Sequence, residues 1–315
     1  MRKTGFIKAV MIGLGALLVG TMPLSAQAKK KPVVGLVMKS LANEFFKQME
    51  EGAVAFAKKD GSFELIPVGM NSESDIDTQI NAMDNFIAKK VNVIVVAPAD
   101  SVGMVAAVKR AVDAGIIVVN FDVTLNKEAM KNAGLPADFL FVGVDNAEGA
   151  EIVGDHLGKT IGKGGKVFII EGNPGADNAN QRKEGFMRSV KKYNLNVLSS
   201  TTAHWETEEA NTVVTNLLTK YPNVKGIMCA NDSMVLGAVR ALDAAGRKDV
   251  QVVGFDNILP VQDLIKRGKC LATIDQFGPD LASNGIRAGL RMLKGEKLTG
   301  WQKTPLRLVT KADFK

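Results

Sequence analysis

The sequence predicts an α/β protein of two lobes, each a parallel sheet with helices on both faces. Three observations carry that expectation. The chain is 315 residues long, past the roughly 250–300 residues at which a single hydrophobic core stops growing. Short apolar runs alternate with stretches of helical apolar spacing along most of its length, the pattern of strands covered by helices. The strand-like runs are also too many for one sheet, so two are expected. Hydrophobic residues make up 46% and charged residues 23%, which argues for a packed chain and against disorder.

In order, residues 33–38 read as the first buried strand, and 43–59 as a helix with Phe46, Met49, Ala53, Phe56 and Ala57 on one face. Strands are expected at 63–68 and 93–97, the second ending at Pro98. Between them lies a helix at 75–88 with Ile76, Ile80, Met83 and Ile87 as its buried stripe. A helix at 102–113 stops at Gly115, and 116–121 is the fourth strand. Residues 124–138 are polar and less regular, and a strand at 139–142 follows. The alternation then restarts with strands at 166–170, 197–201, 224–230, 250–255 and 271–275. Helices at 147–159, 180–192, 207–220, 233–245 and 261–266 precede them in turn. A long helix at 281–294 and a strand at 306–309 close the pattern.

The first residues have a different character. Arg2, Lys3 and Lys8 are basic, residues 9–20 are almost wholly apolar, and Ala26-Gln27-Ala28 is a small-x-small triplet. That order is a secretory signal peptide, expected over residues 1–28 with cleavage after Ala28, hence a periplasmic protein. A membrane anchor would need about 20 apolar residues, and this run breaks at Thr21 and Pro23. The whole chain carries a net charge of +7; without Arg2, Lys3 and Lys8, 37 basic residues face 33 acidic ones, a net +4. The excess is mild and dispersed, so no nucleic-acid partner is expected. Cys229 and Cys270 sit at the ends of two expected strands; export would permit a disulfide, but small buried thiols are the commoner state there. No metal spacing is present: there is no C-x-x-C, and His156 and His204 stand alone.

In open α/β sheets ligands bind beyond the C-terminal ends of the strands. Those ends carry Lys39 through Phe46; Asn120-Phe121-Asp122; Glu171-Gly172-Asn173-Pro174-Gly175 with Asn178, Asn180, Gln181 and Arg182; His204-Trp205; Asn231-Asp232; Asp256-Asn257; and Gln276. Carboxylates, amides and flat aromatics dominate. A carboxylate accepts from two hydroxyls, an amide both donates and accepts, and a ring covers an apolar face. That is the chemistry of a sugar or polyol site. Each residue also has a structural reading. Phe46 lies on the apolar stripe of its helix, whereas Phe45 lies off it and is the better contact. Asp122 and Asp256 could merely turn the chain, but both stand at equivalent strand ends. Asn43 and Asp232 could be helix N-caps, the preferred reading for Asp232, and the two histidines read as structural or solvent-facing. There is no G-x-S-x-G elbow, and Gly162-Lys163-Gly164-Gly165-Lys166 lacks the Ser or Thr of a phosphate loop and precedes its strand. No G-x-G-x-x-G follows the first strand. No catalytic residue, cofactor or metal is expected, and the protein is not expected to be an enzyme.

Together, Asn43-Glu44-Phe45-Phe46, Ala97-Pro98-Ala99-Asp100-Ser101, Ala230-Asn231-Asp232-Ser233-Met234, Val253-Gly254-Phe255-Asp256 and Ala272-Thr273-Ile274-Asp275-Gln276 resemble the ribose-binding type of periplasmic binding proteins, the type I fold. The resemblance runs from about Lys31 to the last strand. It implies two Rossmann-like lobes joined by a three-crossover hinge and closing on a ligand. The lobes are expected at 31–145 plus 277–305 and at 146–276 plus 306–315. It further implies sugar contacts from Asn43, Phe45, Phe46, Asp122, Trp205, Asn231, Asp256 and Gln276, with Lys39, Asn180 and Arg182 completing the set. Two positions depart from the ribose type, Val123 and Asn180 standing where it carries arginine. Residues 124–138, Lys39 and Met228-Cys229-Ala230-Asn231 look more like the allose-binding branch. A hexose, another pentose or an acyclic polyol is therefore expected before ribose. The implied role is the substrate-binding component of an ABC importer, a monomer whose partner is the permease. A sensory protein feeding a chemoreceptor or quorum system is the alternative. A sugar-responsive transcription regulator would open on a DNA-binding helix-turn-helix, where this chain has an export signal.

Overall fold

The computed structural model describes residues 1–2, 4–5 and 30–314. The expected export signal and its cleavage point fall almost wholly outside the described residues. Lys31–Lys315 forms one compact unit.

Within it, two sheets are built in succession. The first run comprises β1 (Val33–Ser40), α1 (Glu44–Asp60), β2 (Glu64–Met70), α2 (Ile76–Ala88), β3 (Val93–Val96), α3 (Val105–Asp113), β4 (Ile117–Phe121), α4 (Lys127–Asn132) and β5 (Phe141–Gly143). The second comprises α5 (Asn146–Ile161), β6 (Lys166–Glu171), α6 (Asp177–Lys192), β7 (Asn196–Thr202), α7 (Thr207–Lys220), β8 (Gly226–Cys229), α8 (Asp232–Ala244), β9 (Gln251–Val253), α9 (Leu259–Lys266) and β10 (Ala272–Asp275). Then come α10 (Gly278–Leu293), β11 (Trp301–Lys303), β12 (Arg307–Thr310) and a 3-10 turn at Lys311–Phe314.

Both sheets have six strands, ordered β11-β5-β4-β3-β1-β2 and β12-β10-β9-β8-β6-β7. The orders match place for place, so β4 of one sheet corresponds to β9 of the other. All neighbours run parallel except β10 and β12. Helix α10 packs on α1, β3 and β4, and β11 joins β5. The chain therefore passes between the sheets after β5, after β10 and after β11, the three crossovers expected of the fold. Covered on both faces, the central strands are apolar throughout: all four residues of β3 are buried.

The helix ends follow capping chemistry. The Asn43 side chain accepts the Phe45 N–H at the start of α1, and Gly61 ends that helix at φ 67°. Asp75 caps α2 through the Thr78 N–H.

Six local expectations are corrected. The buried face of α2 is Gln79, Ala82, Met83 and Phe86, while Ile76, Ile80 and Ile87 are half-buried. Gln79 can lie inside because its amide is fully used, donating to Met38 O and Ala97 O and accepting from the Ala99 N–H at 2.7–3.0 Å. The irregular stretch 124–138 holds α4, capped by Asn126. Helix α6 begins three residues before the expected 180, and α10 likewise before 281. Strand β11, three residues with an exposed Trp301, is too short to show a period. Asp232 is not the cap of α8: Asn231 is, accepting the Met234 N–H at 2.9 Å.

Candidate functional site

The C-terminal ends of the strands in both sheets face one cavity. From the first sheet come Lys39, Asn43, Phe45, Phe46, Glu73 and Asp122. From the second come Asn178, Arg182, Trp205, Asn231 and Asp256, with Gln276 entering from the crossover after β10. The mouth is shut. Ser101 N–H donates to Gly175 O at 2.9 Å, and Asp177 N–H to Ser101 Oγ at 2.9 Å. The Thr124 hydroxyl donates to the Asp177 carboxylate, and Glu73 N–H to Glu206 Oε1 at 3.4 Å. All four join the first lobe to the second.

Three lining residues sit in left-handed backbone: Asp122 at φ 62°, Trp205 at 73° and Asp256 at 127°. Such conformations cost about 1–3 kcal/mol each and persist where the surroundings impose them, typically at binding sites. Asp tolerates that region better than most residues; Trp does not. Gly172 makes room for the Trp205 ring, since a Cβ there would meet it at 2.2 Å.

In the first lobe, Lys39 Nζ is 2.8 Å from Glu73 Oε2, both side chains being 3% exposed. Asn43 Nδ2 donates to Glu73 Oε1 at 2.9 Å. The Lys39 ammonium stands 5.5 Å from the Phe46 ring centre and 5.3 Å from that of Trp205, within cation–π range. Phe45 and Phe46 meet edge-to-face at 5.2 Å. In the second lobe, Arg182 donates from Nε to Asn146 Oδ1 at 2.9 Å and from Nη1 to Ala230 O at 2.8 Å. Its guanidinium stacks 3.7 Å from the Phe255 ring centre and stands 3.6 Å from Asp256 Oδ1. Gln276 Nε2 donates to the same Asp256 oxygen at 2.7 Å.

Burial pushes the Asp122 carboxyl above its ordinary range, against the pull of Lys39 and Arg182. Burial likewise drives Asp256 well above the usual carboxylate range, with Arg182 opposing. Asn178 Oδ1 and Trp205 Nε1 are buried without a hydrogen-bond partner among the described residues. An unused buried acceptor and an unused donor, beside aromatic rings, fit a compact neutral molecule that carries many hydroxyls and has apolar faces. Among the described residues, no group of three or more His, Cys, Asp or Glu side chains could hold a metal ion. Cys229 and Cys270 are buried free thiols, which burial pushes well above their ordinary range.

Ten of the eleven expected site residues line this cavity: Lys39, Asn43, Phe45, Phe46, Asp122, Arg182, Trp205, Asn231, Asp256 and Gln276. The exception is Asn180, whose side chain is exposed and donates to Pro174 O at 3.3 Å. The earlier start of α6 explains this. Residues 178 and 182 are four apart and share a helix face, and 180 points elsewhere. Arg182, not Asn180, brings its guanidinium to the cavity. Val123 is fully buried in the core. The expected set of contacts left out two lining residues, Glu73, which was not among the strand-end residues, and Asn178, which was. The i, i+4 relation to Arg182 would have found Asn178; Glu73 lies in the loop after β2, with no periodic signal.

Two like-ordered, mostly parallel sheets, three crossovers and a polar-aromatic cavity between them define a hinged, two-lobed small-molecule binding protein. The chain belongs to the periplasmic binding protein family: residues 34–297 match the model described as "Periplasmic binding protein domain". It is 42% identical over 300 residues to the D-ribose/D-allose-binding protein of Pseudomonas aeruginosa, covering 92% of this chain and 93% of that one. It is 34% identical to the D-allose-binding periplasmic protein of Escherichia coli, with 91% and 93% covered. A solved ABC transporter periplasmic solute-binding protein from Actinobacillus succinogenes, with bound D-allose, superposes with a TM-score of 0.85. That protein is 38% identical, and the match covers 90% of this chain and 98% of it.

Proposed function

We propose that this protein is the periplasmic substrate-binding component of an ABC importer, and that it closes on a monosaccharide and delivers it to the permease. The observation that carries the reading is the cavity itself. Asp122 and Asp256 enter it from matching places in the two lobes, with Phe45, Phe46 and Trp205 beside them. A pyranose or furanose ring donates hydroxyls to both carboxylates and lays its C–H faces on the rings. D-allose is the first candidate, because relatives at 38% and 42% identity bear it in the crystal or in their names. The lobes are taken as 31–145 plus 277–305 and 146–276 plus 306–315, with the signal removed after Ala28.

A thermal-shift screen against pentoses, hexoses and polyols tests the ligand class, since a ligand at 100 times its Kd stabilises the fold by about 2.7 kcal/mol. Calorimetry on Asp256→Ala and Trp205→Ala tests the site. Both substitutions are expected to weaken the binding of the screened sugar by tenfold or more. Unchanged affinity in both would sink the assignment.

A further inference from the structure

Asp232 does not line the cavity, is not the cap of α8 and is fully buried. Its contacts all lead to one place. The Asp232 N–H donates to Phe255 O at 2.8 Å. Its Oδ2 accepts the Ile258 N–H at 3.0 Å, and its Oδ1 accepts the Thr273 hydroxyl at 2.7 Å. Phe255 and Ile258 bracket two residues, Asp256 and Asn257, that both sit at positive φ, 127° and 62°. Asp232 thus grips this strained turn at both ends. The neighbouring strands make room for it: a Cβ on Gly254 would lie 2.2 Å from Asp232 Oδ1. The adjacent Asn231 is itself a lining residue, so one dipeptide at the head of α8 supplies one site amide and braces a site carboxylate.

We propose that Asp232 is a positioning residue for ligand recognition: its carboxylate holds the 255–258 turn in the strained conformation that aims Asp256 into the cavity. An acid at the first position of a helix also suits the helix dipole. That role alone needs neither the Ile258 N–H nor the Thr273 hydroxyl. A backbone turn with two residues at positive φ needs an outside clamp, and a carboxylate accepting from both sides supplies it where an amide accepts on one oxygen only. The inference rests on the reading of Asp256 as a ligand-holding carboxylate.

The test is calorimetry with D-allose as probe on Asp232→Asn and Thr273→Val, each alone and combined with Asp256→Asn, with folding checked by circular dichroism. Asp232→Asn is expected to weaken D-allose binding by about tenfold, the effect of about one lost buried acceptor. Thr273→Val, which removes one donor to Asp232, is expected to weaken it less and carries the test if Asp232→Asn does not fold. In the Asp256→Asn background both losses should largely vanish, because the group being positioned has been altered already. Equal losses in the two backgrounds, or no loss in a folded variant with wild-type Asp256, would overturn the positioning role and leave the functional reading standing. An Asp256→Asn protein that binds D-allose as well as the wild type would overturn the functional reading, and this inference with it.

Discussion

Asp122 and Asp256 follow corresponding strands of the two lobes, both in left-handed backbone and both inside the same cavity. Their surroundings differ. Asp256 is held by Gln276, faced by Arg182 and backed by a turn that Asp232 clamps. The Asp122 carboxylate accepts no hydrogen bond among the described residues; Lys39 and Arg182 act on it only through their charge. One half of the site is assembled in advance, and the other keeps an unspent acceptor inside the cavity. The prebuilt half should supply orientation. The bare half should supply most of what the ligand gains on closure, because its hydroxyls replace hydrogen bonds that closure otherwise forbids.

The largest expected effect breaks this comparison on the side of stability. Asp256→Ala removes the only carboxylate that faces the Arg182 guanidinium within 4 Å among the described residues. Stranding a buried charge costs about 3 kcal/mol, so the melting temperature of the sugar-free protein should fall. Asp122→Asn does the reverse. It replaces a buried, unpaired acid with a neutral group of the same size, so the sugar-free melting temperature should not fall. Binding should nonetheless weaken by about 10- to 100-fold, since a hydrogen bond to a charged acceptor is worth about 1.5–3 kcal/mol. Thermal melts with and without sugar, beside calorimetry, separate the two. A sugar-free Asp122→Asn protein as destabilised as Asp256→Ala would show the two halves to be alike.

A smaller effect is read through pH. Burial is the leading cause that raises Asp122, Asp256, Asp232 (to about 7) and the half-buried Glu206 above the ordinary carboxylate range. Between about pH 4, where an unfolded chain loses these protons, and the raised folded values, the native state holds more protons than the unfolded one. Stability must therefore fall as pH rises through that window. The penalty is absent below about pH 4 and complete above the folded values. Carboxylates lowered by surface partners, such as Asp249, act with the opposite sign, but below about pH 4. The sugar-free protein should melt higher at pH 5 than at pH 8. Asp122→Asn should flatten that slope, and saturating sugar should flatten it too, because hydroxyl donors return Asp122 toward its ordinary value. A steeper slope with sugar bound would contradict the view of Asp122 as the unspent acceptor.

The fold was legible because parallel strands covered on both faces must be apolar throughout, and runs such as Val93 to Val96 leave few other readings. The site was legible because strand ends are where side chains converge. Arg182, Trp205 and Gln276 were reached by that rule and a resemblance together. Three kinds of information were hidden. Gln79 breaks the apolar stripe of α2 because its partners are backbone groups at the ends of other strands, a satisfaction no periodicity reports. Asp232 beside Asn231 reads as a cap because either residue type can cap, and only the geometry of the first turn chooses between them. Glu73 enters through a loop whose path depends on the closed lobes, where Glu206 of the other lobe receives its N–H.

The start of α6 is the most instructive miss, because two asparagines two residues apart exchange roles across it. Asn178 lines the cavity and is buried, with its Oδ1 unpartnered among the described residues, and Asn180 is outside. If the unspent acceptors of the site are what a sugar satisfies, Asn178→Ala should weaken binding by roughly 1 kcal/mol, about fivefold, with little change in sugar-free stability. Asn180→Ala should change neither affinity nor melting temperature by more than about 0.5 kcal/mol, the usual range for an exposed substitution. The pair is a sharp control because composition, helix and distance along the chain are held nearly constant while only the helical face changes. Calorimetry on the two variants under one set of conditions decides it. Equal effects would mean that α6 starts where its sequence first suggested, three residues later.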